Sequence, residues 1–253
     1  MSNYNSEIIL YGGLALLIVS AVLTLVFALL KKEFPYTLRE IPTFARMRRA
    51  IGLAIEDGSR VHFSIGRGGL NNPWSAAAFV GLATVRRVAE LTSVSDRPSV
   101  VTSGDGALAV LSQDTLKASY VAAVAPERYD ASTGRVTGLT PFSYVAGAIP
   151  VMHDENISTN VIVGNFGLEV ALLADAAERQ DNFTMVASDN IPAQAVLFAS
   201  GSNPLIGEEL YAVGAYVQAG AVHNASLRVQ DLLRWVFIIA VVVGALLKLV
   251  GIL

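Results

Sequence analysis

A strand, a glycine-rich turn and a helix follow one another between residues 60 and 91, and this order constrains the fold more than any other feature of the chain. The stretch Val61–Ile65 predicts a short buried strand, and Gly66, Gly68 and Gly69 predict a tight turn after it. The stretch that follows is rich in alanine and valine, which predicts a helix. Strand, turn and helix in this order form the first half of a βαβ unit.

The same pattern returns three times downstream, in the ranges 99–124, 159–180 and 183–201. In each range a β-branched run ends in serine, glycine, asparagine or aspartate, and an apolar helix begins. Strands that are continuously apolar are buried on both faces, so their alternation with helices is typical of a parallel sheet with helices on each side. The sequence therefore predicts an α/β fold with a parallel, Rossmann-like sheet.

The segments that connect these units carry turn and helix signals. Residues 125–138 are rich in charge and in turn formers, which predicts an excursion over the surface. Thr140 and Pro141 suit the cap and first position of a short helix that continues to about Ala148. Further on, the range 204–209 is expected to open another helix over LYAVGAYVQAG.

Both ends of the chain are long, apolar and almost free of charge. Ile8–Leu30 contains no charged residue, and Trp235–Leu253 contains only Lys248. Each can cross the ~30 Å hydrocarbon core of a bilayer as a helix. The alternative for the first stretch is a cleaved signal peptide, but its length and the lysine pair at 31–32 oppose that interpretation. We therefore predict a transmembrane helix at each end.

The distribution of charge predicts the orientation of these helices. Residues 31–49 carry six basic and two acidic side chains, whereas the residues before the first span contain no lysine or arginine. The positive-inside rule therefore places the central domain in the cytoplasm of a two-pass protein of the inner (plasma) membrane. The expected division is an N-terminal transmembrane helix at 1–31, a basic juxtamembrane segment at 32–58, a cytoplasmic α/β domain at 59–227 and a C-terminal transmembrane helix at 228–253.

The basic juxtamembrane segment is expected to contain an amphipathic helix. Thr43 could cap it, and Gly58 could end it after Asp57. Apolar residues fall at helical spacing on one face, whereas the arginines lie off that face. The helix either lies on an anionic inner leaflet or packs its apolar face into the domain core, and the sequence leaves both open. The apolar residues in question are Phe44, Met47, Ile51 and Ile55.

Composition excludes several function classes. Residues 50–227 carry nine basic and seventeen acidic side chains, so a nucleic-acid partner is not expected. The chain has no cysteine, which excludes disulfides and thiolate chemistry. Its three histidines match no metal-ligand spacing, and we interpret His62 as a core residue and His153-Asp154-Glu155 as a solvated turn. No catalytic motif appears, so we predict no catalytic residue, metal or cofactor.

The default ligand site of an open α/β sheet lies beyond the carboxyl ends of its strands. There Gly104-Asp105-Gly106 begins a G-x-G-x-x-A pattern, in which glycines allow a pyrophosphate to approach a helix N-terminus. Asp105 opposes that hypothesis because it would place an anion beside the phosphate. Asp and Asn are also ordinary helix caps, and glycine also allows tight packing. We favour these structural roles over ligand binding. The candidate ligand-binding residues are Gly66, Gly68, Gly69, Gly104, Asp105, Gly106, Asn165, Asp189 and Asn190.

Four stretches resemble a family of bacterial membrane proteins described as a domain of unknown function. They are HFSIGRGG at 62–69, TSGDGALAVLSQDTL at 102–116, GLTPFSYVAGAIPV at 138–151 and IGEELYAVGAY at 206–216. The resemblance implies one integral unit flanked by two spans, and it implies no activity, ligand or catalytic residue.

The expected function is that of a non-enzymatic scaffold or assembly subunit that forms homo-oligomers in the lipid bilayer. Small residues four apart mark faces where membrane helices approach closely, and both spans carry them. The alternative is a membrane-tethered sensor of a small ligand or nucleotide. The small residues are Gly12, Gly13, Ser20 and Thr24 in the first span and Ala240 and Gly244 in the second.

Overall fold

The computed structural model describes residues 2–30, 37–70, 75–200 and 203–251. The chain divides into two compact units. One consists of Met1–Leu38 and Gly220–Leu253, and the other is Arg39–Ala219. The predicted signals at Lys31 and Lys32 lie outside the described residues.

Nine α-helices and six strands are present in the described part of the chain. The helices are α1 (Ser2–Leu29), α2 (Pro42–Glu56), α3 (Ser75–Thr92), α4 (Gly106–Ala122), α5 (Pro141–Asp154), α6 (Val170–Glu178), α7 (Ile191–Ser200), α8 (Glu209–Tyr216) and α9 (Ala221–Leu249). The strands are β1 (Arg60–Gly66), β2 (Val100–Ser103), β3 (Gly134–Val136), β4 (Ile157–Asn165), β5 (Phe183–Ser188) and β6 (Asn203–Leu205).

The six strands form one sheet in the order β3-β2-β1-β4-β5-β6, and every neighbouring pair is parallel. This confirms the predicted parallel α/β sheet. Side chains alternate across it, because successive residues of a strand point to opposite faces. Val61, Phe63 and Ile65 enter a core shared with α2, α3, α4 and α8. The opposite face of the sheet packs against a second core built from α5, α6 and α7.

Two strands fall where the sequence predicted none. β3 lies inside the segment predicted as a surface excursion, and β6 contains Pro204, which was expected to open a helix. Both are three-residue edge strands, too short to show a periodic pattern. An edge strand also tolerates a proline, because one of its sides needs no ladder hydrogen bond.

Two predicted caps have different outcomes. At α5 the Ser143 amide donates to the Thr140 hydroxyl at 3.3 Å in a capping box, which confirms the predicted cap, although the helix continues beyond Ala148 to Asp154. At α2 the predicted cap at Thr43 is wrong, since the helix begins at Pro42 with Ile41 as its N-cap and no side-chain cap bond. Gly58 follows α2 with a φ of 65°, as expected of a C-terminal stop.

The apolar face of α2 is buried in the first core. Phe44, Met47 and Ile51 belong to that core, Ile55 packs against it, and the Phe44 ring stacks on Tyr216 with centroids 4.3 Å apart. Of the two open interpretations of this helix, the structure therefore supports the domain-core one. An apolar face that is already buried against protein cannot also rest on a membrane surface.

Within the described residues, two helices are long and apolar enough to cross a membrane, over Leu10–Leu29 and Ala221–Leu249. α1 packs against α9 within one unit, and the Arg228 guanidinium lies 6.0 Å from the centre of the Phe27 ring. α9 runs without a break from Ala221 into the predicted second span.

Candidate functional site

The β1–β4 pair is the point where the sheet reverses its direction of winding. From β1 the chain continues to β2 on one side of the pair, and from β4 it continues to β5 on the other side. The helix after β1, α3, therefore packs on one face of the sheet, and the helix after β4, α6, packs on the opposite face. This is the order of dinucleotide-binding α/β sheets, in which ligands occupy the crevice beyond the carboxyl ends of the two central strands. Gly66 and Asn165 are paired at that point. The candidate site is therefore the edge around these two residues.

Glycines at the switch point allow the backbones of β1 and β4 to approach. Gly66 has a φ of 73°, and a Cβ added to it would overlap the Asn165 carbonyl group. A Cβ on Gly164 would lie 2.6 Å from the carbonyl carbon of Ile65. These glycines serve close packing of the two strands. Gly68 and Gly69 follow in the same loop, whose continuation over 71–74 lies outside the described residues.

The side chain of Arg67 lies beside Gly104. A Cβ on Gly104 would overlap the Arg67 side chain, so this glycine makes room for the arginine stem. The Arg67 Nη2 lies 3.5 Å from Oε1 of Glu169, whose side chain is only 5% exposed. The Gly167 amide donates to the same carboxylate at 2.9 Å. Sequence reasoning identified neither Arg67, which directly follows β1, nor Glu169, which lies four residues after β4 at the N-cap of α6.

The polar residues predicted at this edge are engaged by neighbouring groups of the chain. Asp105 accepts a hydrogen bond from the Leu108 amide at 3.0 Å, which confirms its predicted role as the cap of α4. The Asn165 side-chain amide donates to Asp189 at 2.8 Å, and Asn190 accepts from the Ala193 amide at 3.5 Å. Gly106 faces open space, with no described atom within 4 Å of an added Cβ.

The charge of the edge opposes a phosphate ligand. Asp105, Glu169 and Asp189 contribute three carboxylates at the ends of β2, β4 and β5, and Arg67 contributes one compensating positive charge. The three carboxylates outnumber the single guanidinium, so the charged side chains of this edge do not favour an added anion.

A buried polar network lies under the switch point. His62 Nδ1 forms a hydrogen bond of 3.0 Å with the side-chain amide of Asn160. His62 Nε2 forms a hydrogen bond of 2.9 Å with the Thr102 hydroxyl. The Tyr144 hydroxyl contacts Ser64 and also lies 3.4 Å from the Thr102 hydroxyl. The network thus connects β1, β2 and β4 to α5.

Burial controls the ionisation of this network. It lowers the pKa of His62 to about 4, with a further lowering by the charge of Arg135 and an opposing contribution from the Asn160 hydrogen bond. Burial likewise raises the pKa of Tyr144. His62 is thus a neutral core residue at pH 7, as predicted. Because His62, Ser64 and Tyr144 are fully buried, they hold the sheet to α5 and do not contact solvent.

An ion-pair cluster lies where β1 begins, and it corrects one prediction. Glu155 was expected in a solvated turn, but it bridges Arg60 at 2.6 Å and Arg135 at 2.7 Å. The carboxylate therefore joins the start of β1 to the edge strand β3. Among the residues that the structure describes, no group of three His, Asp or Glu side chains is placed to hold a metal ion.

Comparison with known proteins identifies the chain at the level of family. No curated protein and no solved structure matches it significantly. A family model described as "Domain of unknown function (DUF6754)" matches residues 2–253. Because that match spans nearly the whole sequence, both apolar helices and the α/β unit lie within it, and the chain belongs to the DUF6754 family.

Proposed function

We propose that the protein is a membrane-anchored scaffold or assembly subunit, without catalytic activity, that forms homo-oligomers through its two apolar helices. The observation that carries this proposal is that small residues of these helices remain unused within the chain. An added Cβ at Gly12, Gly13 or Gly244 meets no described atom within 4 Å, although α1 and α9 already pack against each other.

Two other small residues of α1 are already partly buried within the chain. Ser20 and Thr24 are half-buried, and the Thr24 hydroxyl donates to the Ser20 carbonyl of its own helix at 2.8 Å. In a bilayer, helices associate where small residues let their backbones approach. Gly244, with Ala240 one turn before it, therefore offers a face for a helix of another copy.

The carboxyl edge of the sheet supports a non-enzymatic role. Arg67 and Glu169 are paired, Asp105 caps a helix, and Asn165 bonds to Asp189. Each of these side chains therefore has a structural partner within the chain. The fully buried network beneath them is closed to a substrate as well.

We also propose a location and an orientation for the protein. The two apolar helices would make a two-pass anchor in the inner (plasma) membrane, with the α/β unit in the cytoplasm, because the basic residues follow the first span. We expect Ser132→Cys, at an exposed position, to resist a membrane-impermeant thiol reagent in intact cells and to react after lysis. The chain has no other cysteine, so labelling in intact cells would show that the α/β unit lies outside the cytoplasm.

Gly244→Leu is expected to weaken the oligomer without unfolding the chain. The added side chain has room within one copy but would separate two helices that meet at this face. Energy transfer between donor- and acceptor-labelled copies in lipid vesicles should fall several-fold for this variant. Val242→Leu adds volume on the opposite side of α9 and is the matched control. Equal transfer in both variants would exclude Gly244 from the contact.

A second candidate function is favoured by the strand order alone. Sheets with the order β3-β2-β1-β4-β5-β6 bind ligands in a crevice at the switch point, and an added Cβ at Gly106 meets no described atom within 4 Å. A membrane-tethered sensor of a small ligand would use this crevice. Thermal-shift screening of the full chain against nucleotides and uncharged nucleosides tests it. A shift that Gly106→Val abolishes would favour the sensor over the scaffold.

A further inference from the structure

Helix α7 is apolar on its buried face and on its exposed face. Ala193 and Leu197 are buried in the second core, whereas Ile191 is 78% exposed and Phe198 is 74% exposed. At 100° per residue, Ile191, Ala195 and Phe198 lie on one side of the helix. None of the residues 191–200 carries a charge. A helix that is apolar all round is normally covered on all sides.

The neighbouring helix extends this apolar surface. Leu168, just before α6, is 59% exposed and Leu172 is 47% exposed, and α6 packs beside α7. One aromatic side chain alone covers about 150–250 Å², so these four large side chains expose on the order of 400 Å². That lies at the upper end for a monomer surface, and it would supply about half of the ~800 Å² that each partner buries in a stable interface.

We infer that the α7 face, formed by Ile191, Ala195 and Phe198, is the contact between the α/β units of two copies, related by a two-fold axis. The inference rests on the proposed function, since it assigns a surface of the α/β unit to that oligomer. A two-fold contact places the same surface patch of both copies together, so a patch with an excess of negative charge meets another with the same excess. Residues 50–227 carry seventeen acidic and nine basic side chains, and a patch that shares this excess would repel a second copy. The uncharged α7 face avoids that repulsion.

The arrangement of large and small residues on the α7 face sets the geometry of the contact. Ala195 lies between two bulky side chains, with Ile191 on one side and Phe198 on the other. When two copies of α7 cross in opposite directions, Ile191 of each copy meets Phe198 of the other. The two Ala195 residues then meet at the axis. Helices in contact approach to 8–10 Å, and small residues at the crossing permit the lower distance. Ala195 should therefore lie next to its own copy.

The absence of cysteine from the chain makes this geometry directly testable by oxidative cross-linking of the full-length protein in vesicles. Ala195→Cys should form a disulfide-linked dimer with copper phenanthroline as oxidant. Val121→Cys is the control, because Val121 is also exposed but lies on α4, on the other face of the sheet. Because effective concentration is high only at a real contact, we expect position 195 to cross-link at least about tenfold faster than position 121.

Two further measurements separate the inference from the proposed function. Adding Phe198→Asp to Ala195→Cys should abolish the fast cross-link, because it would bury an unpaired carboxylate against Ile191 of the second copy. The mass of the unmodified protein is measured in parallel. An oligomer in which position 195 cross-links no faster than position 121 overturns the α7 contact alone, and means that lipid or another protein covers this face. A monomer that does not cross-link overturns both.

Discussion

Gly164→Ala is expected to lower the free energy of unfolding by about 3 kcal/mol, because its Cβ would overlap the backbone of the neighbouring strand. The added carbon would lie 2.6 Å from the carbonyl carbon of Ile65, in the centre of the sheet. A backbone carbonyl has no rotamer to escape into, so β1 and β4 must separate. The loss should appear in urea unfolding of the full chain in mild detergent, followed by circular dichroism.

Gly106→Ala is the matched control for this variant. It adds the same methyl group at the first position of α4, where no described atom lies within 4 Å. Alanine is also a better helix former than glycine. The free energy of unfolding of this variant should therefore equal that of the unmodified protein or exceed it by up to about 1 kcal/mol. Equal losses for the two variants would contradict the close approach of β1 and β4 at the switch point.

Acid is expected to destabilise the α/β unit through His62. Burial lowers the folded-state pKa to about 4, whereas the unfolded chain titrates near the ordinary value of 6.5. Between these two pH values the unfolded state binds a proton that the folded state does not, so stability is fully present above pH 6.5 and falls as the pH falls towards 4. At about 1.36 kcal/mol per pKa unit, the loss is about 3 kcal/mol.

His62→Gln tests this origin of the acid sensitivity. The variant keeps a polar side chain between Asn160 and Thr102 but removes the titrating group. It should be less stable than the unmodified protein at pH 7, and the difference should shrink by about 3 kcal/mol as the pH is lowered from 6.5 to 4. Urea unfolding curves at a series of pH values give the comparison. Parallel pH profiles for the two proteins would show that His62 is not the group responsible.

The sequence predicted the central elements of the sheet because their residues carry strong local signals. The stretch Val61–Ile65, for example, carries valine, phenylalanine and isoleucine at alternate positions and is followed by glycine and a helix. The edge strands β3 and β6 could not be predicted in this way. Residues 134–136 contain glycine and arginine, and β6 contains Pro204, so their strand conformation comes from pairing with β2 and β5.

Part of the candidate site could likewise be predicted from the sequence, and part could not. The cap at Asp105 was predictable, because an aspartate before a helix bonds to an amide three residues on. The Arg67–Glu169 pair was not predictable, because 102 residues of chain separate its members and only the β1–β4 contact brings them together. The same holds for Glu155, whose local sequence suggested a solvated turn but whose partners lie on β1 and β3.

Association of copies of the chain at the membrane is tested most directly by native mass spectrometry of the full-length protein, released from mild detergent over a wide range of protein concentrations. We predict a species whose mass is a whole multiple of 26.8 kDa, two or more, that persists on dilution. A mass of 26.8 kDa at every concentration would contradict it.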